Sequence, residues 1–141
     1  MRKNNLIAQV SRLSETANRF IVKELESRGI EGIVPSHGDI LVLLFGVEQL
    51  TMQEIAGKIH RTKPTVTVLV NKLVELGYVT KEKSDTDSRV TYIALTERGE
   101  SLRPAFETIS ARLNALVYEG LSESEAEKLE LMIEAIRSRF G

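Results

Sequence analysis

The chain has 141 residues, of which 42% are hydrophobic and 28% are charged, as is typical of a soluble globular protein that buries a core. It has no cysteine, which excludes disulfides, thiolate zinc sites and thiol-based redox sensing. No apolar run reaches membrane-spanning length and the first residues do not resemble a signal peptide, so we expect a cytoplasmic protein without membrane segments.

The net charge of −1 argues mildly against nucleic-acid binding, since domains that bind nucleic acid are usually basic. The charge is, however, unevenly distributed along the chain. Residues 51–95 contain seven Lys/Arg and five Asp/Glu, a net charge of +2, whereas the rest of the chain carries −3. The sequence therefore predicts a local and modest positive field over residues 51–95.

A heptad-like seam of apolar residues marks the first predicted helix, which the pair Arg28-Gly29 ends. In most helices such a seam simply packs into the core of the same domain. Here the domain that follows already has its own core, so a seam of this length indicates a partner helix. The residues recur at spacings of four and three: Leu6, Val10, Leu13, Ala17 and Phe20.

The second predicted helix covers residues 38–45 and follows a linker at 29–35. Ser36 and Asp39 have the spacing of a capping box, and the apolar residues that follow indicate a central, buried helix. His37 is expected to be exposed at the start of this helix. His37 and His60 are the two histidines, and without cysteine or an HxxxH spacing they predict no metal site; no cofactor is expected.

A helix-turn-helix is predicted next. Thr51 and Glu54 form a capping box for a short helix, and residues 60–62 form a tight break. Pro64 suits the first position of a second helix, with Thr62 or Lys63 as its N-cap. Gly77 ends that helix, whose buried stripe comprises Val66, Leu69, Val70, Leu73 and Leu76.

The other side of the second helix carries donors, hydroxyls and one small apolar group, which suit phosphates and base edges. A solvated polar face is the alternative interpretation of this pattern. The residues concerned are Lys63, Thr65, Thr67, Val68, Asn71 and Lys72.

A β-hairpin follows the two helices and favours the nucleic-acid interpretation. Residues 78–82 and 90–95 alternate like strands, and residues 83–89 between them are polar and turn-prone. A helix-turn-helix followed by a hairpin with a basic tip is a winged helix.

Two further helices are predicted after the hairpin. Thr96 caps a long helix in which Pro104 predicts a kink or a delayed start near Arg103. Ser122 and Glu125 form a capping box for the last helix. The apolar face of this last helix comprises Leu129, Met132, Ile133, Ile136 and Phe140.

The predicted fold class is mostly α, with a small β-hairpin wing. Residues 35–96 would form the winged helix-turn-helix, and residues 1–34 and 97–141 a helical dimerisation region.

Two sequence motifs resemble the MarR family of bacterial and archaeal regulators. One is Asp87-x-Arg89 followed by Leu95-Thr96 and Gly99, which is similar to the wing signature of that family. The other is Pro64-Thr-Val-Thr67 followed by Lys72-Leu73 and Leu76-Gly77. The similarity extends to the length and to the flanking helices. Ser88 and Val68 depart from the pattern, because the family often has basic residues at both positions.

The resemblance implies a homodimeric transcriptional regulator that binds double-stranded DNA at a palindromic operator, as a repressor released by a small ligand. Asp87 would orient Arg89, which would enter the minor groove. The dimer would be formed by Leu6, Val10, Leu13, Ala17, Leu129, Met132, Ile133 and Ile136. The DNA contacts would come from Arg61, Thr62, Lys63, Pro64, Thr65, Thr67, Val68, Asn71, Lys72, Lys83, Asp87, Ser88 and Arg89.

The resemblance also implies a small aromatic acid as effector, with His37, His60 and Arg61 as polar lining of its site. Two alternative functions are a protein-contact module and an enzyme. A winged helix used for protein–protein contacts would keep the same buried stripe without needing DNA. An enzyme is disfavoured, because the chain has no cysteine nucleophile, no Gly-rich phosphate loop and no recognisable Ser/His/acid spacing.

Overall fold

The computed structural model describes residues 1–141 and confirms the mostly helical class with a small antiparallel sheet. The chain divides into two compact units, residues 1–109 and residues 110–141. None of the helices combines the length and apolar character that crossing a membrane requires. The elements in chain order are α1 Leu6–Ser27, α2 Pro35–Phe45, β1 Leu50–Thr51, α3 Met52–Ile59, α4 Lys63–Glu75, β2 Val79–Lys83, β3 Thr91–Leu95, α5 Glu97–Glu100, α6 Arg103–Val117 and α7 Glu123–Ser138.

Helix α1 ends where the sequence predicts. Arg28 is its C-cap, and Gly29 follows with a φ of +76°, a conformation that glycine adopts without a steric penalty. Leu25 is the one fully buried residue of α1, so most of the apolar seam stays exposed in the single chain.

The predicted start of α2 is wrong. The helix begins at Pro35 with Val34 as N-cap, and Ser36 and Asp39 do not form the capping box. Instead the backbone N–H of Val34 donates a hydrogen bond to Nδ1 of His37 at 3.0 Å. This bond places the histidine where a capping-box glutamate would normally stand.

His37 was also predicted to be exposed, and it is buried, with 8% of its surface accessible. Burial lowers the pKa of His37, and the nearby Lys72 ammonium lowers it further. The imidazole is therefore held neutral, which is the form that can accept the Val34 hydrogen bond through Nδ1.

The helix-turn-helix is confirmed at α3 and α4. Thr51 and Glu54 form the predicted capping box, with N–H to side-chain oxygen distances of 2.9 and 3.0 Å. His60 ends α3 in the left-handed conformation, with a φ of +56°. Thr62 is the N-cap of α4, so Pro64 occupies the second helical position and not the predicted first one.

Helix α4 packs its predicted stripe into the centre of the first unit. Val66, Val70 and Leu73 are fully buried, whereas Leu69 and Leu76 are partly buried against the core. Burial of this stripe fixes which side of α4 remains outside. The other fully buried side chains of the core are Leu25, Ile40, Leu41, Leu44, Ile55 and Ile93.

The sheet has three strands in the order β1-β3-β2, all antiparallel. The predicted hairpin is confirmed, with strand limits within one residue of those expected. Strand β1 was not predicted; its Leu50 pairs with Ile93 of β3. The extra strand joins the beginning of α3 to the base of the wing.

Thr96 does not cap a long helix as predicted. It caps the four-residue helix α5, and α6 begins separately at Arg103, which confirms the delayed start expected from Pro104. The capping box of Ser122 and Glu125 at the start of α7 is confirmed.

Candidate nucleic-acid interface

The predicted DNA-contacting residues lie on four segments of the first unit. Arg61 and Thr62 occupy the turn before α4, the next seven lie on α4, and Lys83 ends β2. Asp87, Ser88 and Arg89 lie in the wing loop between β2 and β3. All of these side chains are exposed except Thr67, Lys72 and Asp87, which are half-buried.

The first turn of α4 is held by its own hydroxyls. The Thr62 side chain accepts a hydrogen bond from the Thr65 N–H at 3.4 Å and donates to the Thr65 hydroxyl oxygen at 2.9 Å. Thr67 donates its hydroxyl hydrogen to the carbonyl oxygen of Lys63 at 2.9 Å. These bonds fix the helix start, which is the part of a recognition helix that approaches base edges.

The wing loop is ordered by backbone hydrogen bonds. The Ser84 N–H donates to the carbonyl oxygen of Val90, and the Val90 N–H donates to the carbonyl oxygen of Asp87, both at 2.9 Å. The Ser84 hydroxyl oxygen also accepts from the N–H groups of Thr86 and Asp87, at 3.2 and 3.3 Å. These hydrogen bonds link both ends of the loop and support the position of its tip.

Asp87 and Arg89 form a two-pronged ion pair at this tip. Nε of Arg89 donates to Oδ1 of Asp87 at 3.0 Å and Nη2 donates to Oδ2 at 3.1 Å, while the Arg89 backbone N–H also donates to Oδ1. These hydrogen bonds lower the pKa of Asp87. The Arg89 side chain remains 89% exposed, so the fork orients the guanidinium without removing it from solvent.

A cavity of about 200 Å³ lies between α4 and the wing, and several of these residues line it. Lys63, Lys81 and Arg89 supply three cationic side chains to it, one each from α4, β2 and the wing loop. Such an arrangement suits a phosphate backbone that passes between a recognition helix and a wing. The complete lining is Thr51, Met52, Gln53, Lys63, Thr67, Lys81, Arg89, Val90 and Thr91.

Lys81 and Gln53 were not among the predicted site residues. Nζ of Lys81 donates to Oδ1 of Asn71 at 3.0 Å, which connects β2 to α4. Alternation along β2 places the exposed Lys81 on the same face as the buried Val79, but its contact with Asn71 depends on how β2 packs beside α4. Gln53 had no comparable signal in the sequence.

The other predicted residues do not line this cavity, although Asn71 and Asp87 hydrogen-bond to the lining residues Lys81 and Arg89. Lys72 is 4.0 Å from the Glu75 carboxylate and lies near His37, on the α2 side of α4. Of the three residues predicted to line an effector site, His37 is buried in the α2 cap and His60 borders a groove with Lys58 and Asp39. Burial raises the pKa of the Asp39 carboxyl, and the nearby Arg61 guanidinium partly offsets this rise.

Comparison with known proteins decides the family. The family model described as MarR family matches residues 31–90, from the linker before α2 to the end of the wing loop. The transcriptional regulator SarZ of Staphylococcus saprophyticus is 30% identical over 111 residues, covering 78% of this chain and 76% of the relative. The chain belongs to the MarR family. The regulator MhqR of Bacillus subtilis, described like SarZ as an HTH-type transcriptional regulator, is 27% identical over 93% of this chain and 88% of its own length.

The fold of the chain is that of solved MarR-family structures. The DNA complex of MepR from Staphylococcus aureus has a TM-score of 0.87 with this chain, at 26% identity, and the match covers 95% of this chain and 97% of MepR. The match covers the helix-turn-helix, the wing and the flanking helices. The winged helix-turn-helix of a transcription regulator is thus established, and the predicted family is confirmed.

Proposed function

We propose that the chain is a cytoplasmic, homodimeric regulator that binds a palindromic double-stranded DNA operator and represses transcription until a small ligand releases it. The observation that carries DNA binding is the convergence of Lys63, Lys81 and Arg89 on one cavity between α4 and the wing. The chain as a whole is slightly acidic, so a cationic site built from three elements is a local feature that suits an anionic partner.

Selection of bound duplexes from a random pool, followed by titration against the recovered operator and a scrambled duplex, tests this proposal. We expect the operator to bind at least about 10³-fold more tightly than the scrambled duplex. The logarithm of the affinity should also fall linearly with the logarithm of salt concentration, with a slope of about −0.9 per neutralised phosphate. Failure to enrich any duplex at low salt would favour a winged helix that makes protein contacts.

The proposed dimer places the terminal helices in a dimerisation region made of residues 1–34 and 97–141. The apolar seams of α1 and α7 support it, because they stay exposed in the single chain and contiguous exposed apolar surface marks an interaction site. Two-fold symmetry would present two α4 helices to successive major grooves about 34–36 Å apart. The exposed members of the seams are Leu6, Val10, Leu13, Leu129, Met132, Ile133 and Phe140.

The charge-introducing variant Met132→Glu is expected to convert a dimer of twice 15.8 kDa into monomers at micromolar concentration, as measured by light scattering. The glutamate would have to be buried without a partner at the interface. Leu131→Glu is the matched control, since Leu131 is equally exposed but lies on the opposite side of α7. Equal effects of the two variants, or a monomeric wild type, would contradict the proposed interface.

Release by a small aromatic acid remains a prediction from the family resemblance. The feature that supports it is the groove beside His60, in which Leu43 and Ile59 supply apolar walls and Lys58 an ammonium group. The Asp39 carboxylate also borders this groove, so an acidic ligand would have to turn its carboxylate towards Lys58.

A further inference from the structure

Val68 is the most exposed large hydrophobic side chain of residues 31–109, with 70% of its surface accessible. It lies in the middle of α4 but outside the buried stripe of Val66, Val70 and Leu73. An isopropyl group in this position contributes little to the core. Its exposure on the side of α4 that bears the candidate DNA contacts therefore points to a role in binding.

The polar groups around Val68 are partly used within the protein. Thr67 donates its hydroxyl hydrogen to the Lys63 carbonyl oxygen, and Asn71 accepts a hydrogen bond from Lys81. Because a lysine ammonium can only donate, the Asn71 amide must turn its oxygen towards Lys81 and its NH₂ group away. The groups that α4 still offers to a ligand near Val68 are therefore mainly donors: the Lys63 ammonium, the Thr65 hydroxyl and the Asn71 NH₂ group.

Donors alone discriminate poorly between base pairs in the major groove. They bind phosphate oxygens, but also N7 and O6 of guanine, N7 of adenine and O4 of thymine. An adenine-specific contact of Asn71 would use its amide oxygen, which already accepts a hydrogen bond from Lys81 and would have to be shared with the adenine amino group. The exposed apolar side chain of Val68 is therefore the group at the centre of α4 that can add discrimination between bases.

We infer that Val68 reads the C5-methyl group of a pyrimidine in the major groove, an inference that rests on the proposed DNA binding. The C5-methyl group is the apolar feature that thymine presents in the major groove, and small apolar side chains contact it. Thymine and 5-methylcytosine share this group. The operator half-site should accordingly contain a thymine opposite Val68 that 5-methylcytosine, but not cytosine, partly replaces.

The test replaces each thymine of the selected operator, one at a time, with deoxyuridine, which removes only the methyl group. At one thymine per half-site the wild type should lose roughly fourfold in affinity, the equivalent of about 0.8 kcal/mol for one buried carbon. Val68→Ala should bind the thymine-containing operator more weakly than the wild type does. Replacing that thymine with deoxyuridine should cause no further loss of affinity in this variant. Val74→Ala, an exposed valine elsewhere on α4, is the matched control and should keep the methyl dependence.

A second arm places cytosine or 5-methylcytosine at the sensitive position, with the complementary guanine. The wild type should bind the operator with 5-methylcytosine more tightly than the one with cytosine. Val68→Ala should bind these two operators equally well. Two results would overturn the inference: tolerance of deoxyuridine at every thymine by the wild type, or a methyl dependence that persists unchanged in Val68→Ala. Failure of the wild type to select any duplex would instead remove the proposed function, and the inference with it.

Discussion

Arg89→Ala is expected to lower affinity for the selected operator by roughly 5- to 150-fold per half-site contact. Arg89 is at the exposed tip of the wing, and Asp87 holds its guanidinium in one direction before DNA is present. An oriented guanidinium loses less side-chain entropy when it enters a narrow minor groove, whose negative potential favours arginine. The loss should therefore be larger on operators with A·T-rich flanks than on G·C-rich flanks.

Two comparison variants separate groove reading from charge. Arg12→Ala removes the same charge from an exposed position of α1 and should leave operator affinity nearly unchanged. Lys72→Ala should weaken binding to all sequences and reduce the salt slope by about one, with base preference intact. If Arg89→Ala behaves like Lys72→Ala on both flanking sequences, the wing contacts phosphates and does not read the groove.

Asp87→Asn tests the role of the fork itself. The amide retains the size of the carboxylate but cannot accept both guanidinium hydrogen bonds, so Arg89 would gain rotational freedom. We expect Asp87→Asn to lower operator affinity less than Arg89→Ala does. The variant that combines both substitutions should bind the operator as weakly as Arg89→Ala alone. Unfolding midpoints of the Arg89 and Asp87 variants should stay near that of the wild type, because the ion pair is open to solvent and exposed ion pairs contribute little to stability.

The parts of the fold that sequence reasoning predicts well depend on local interactions. The capping boxes of α3 and α7 join residues three apart, and the buried stripe of α4 follows one helical period. The wing was predicted from the alternation of residues 78–82 and 90–95 around a polar segment, and the orientation of Arg89 by Asp87 from the family resemblance. Signals of this kind are complete within a short window of sequence.

The parts that it missed depend on less common chemistry or on distant partners. At α2 a histidine fills the role of the usual acidic residue and a valine provides the N-cap, which no cap rule based on Ser, Thr or Asp recognises. Strand β1 has two residues, too few for an alternating pattern, and exists because Leu50 pairs with Ile93. The contribution of Lys81 required knowledge of how β2 packs beside α4, since its partner Asn71 is on another element.

The substitution Gly99→Ala is expected to destabilise the fold by about 1–3 kcal/mol or more, as measured by urea unfolding. Gly99 is buried in α5, and a Cβ atom on it would lie 2.1 Å from the backbone carbonyl oxygen of Tyr78. That oxygen accepts a hydrogen bond from the Thr96 N–H at 3.0 Å, which connects α5 to the base of the wing. Because the obstructing atom belongs to the backbone, α5 and β2 would have to separate.

Gly57→Ala is the matched control for this prediction. Gly57 is in the helix α3 and is exposed, and a Cβ atom there would meet nothing within 4 Å. The same substitution should therefore stabilise the protein by about 0.4–1 kcal/mol, since alanine restricts the unfolded chain and favours helix. Opposite signs for the two variants would show that close packing of α5 on the wing base, and not helix propensity, requires glycine at position 99. A neutral Gly99→Ala would mean that α5 can shift away from Tyr78 without loss of the wing.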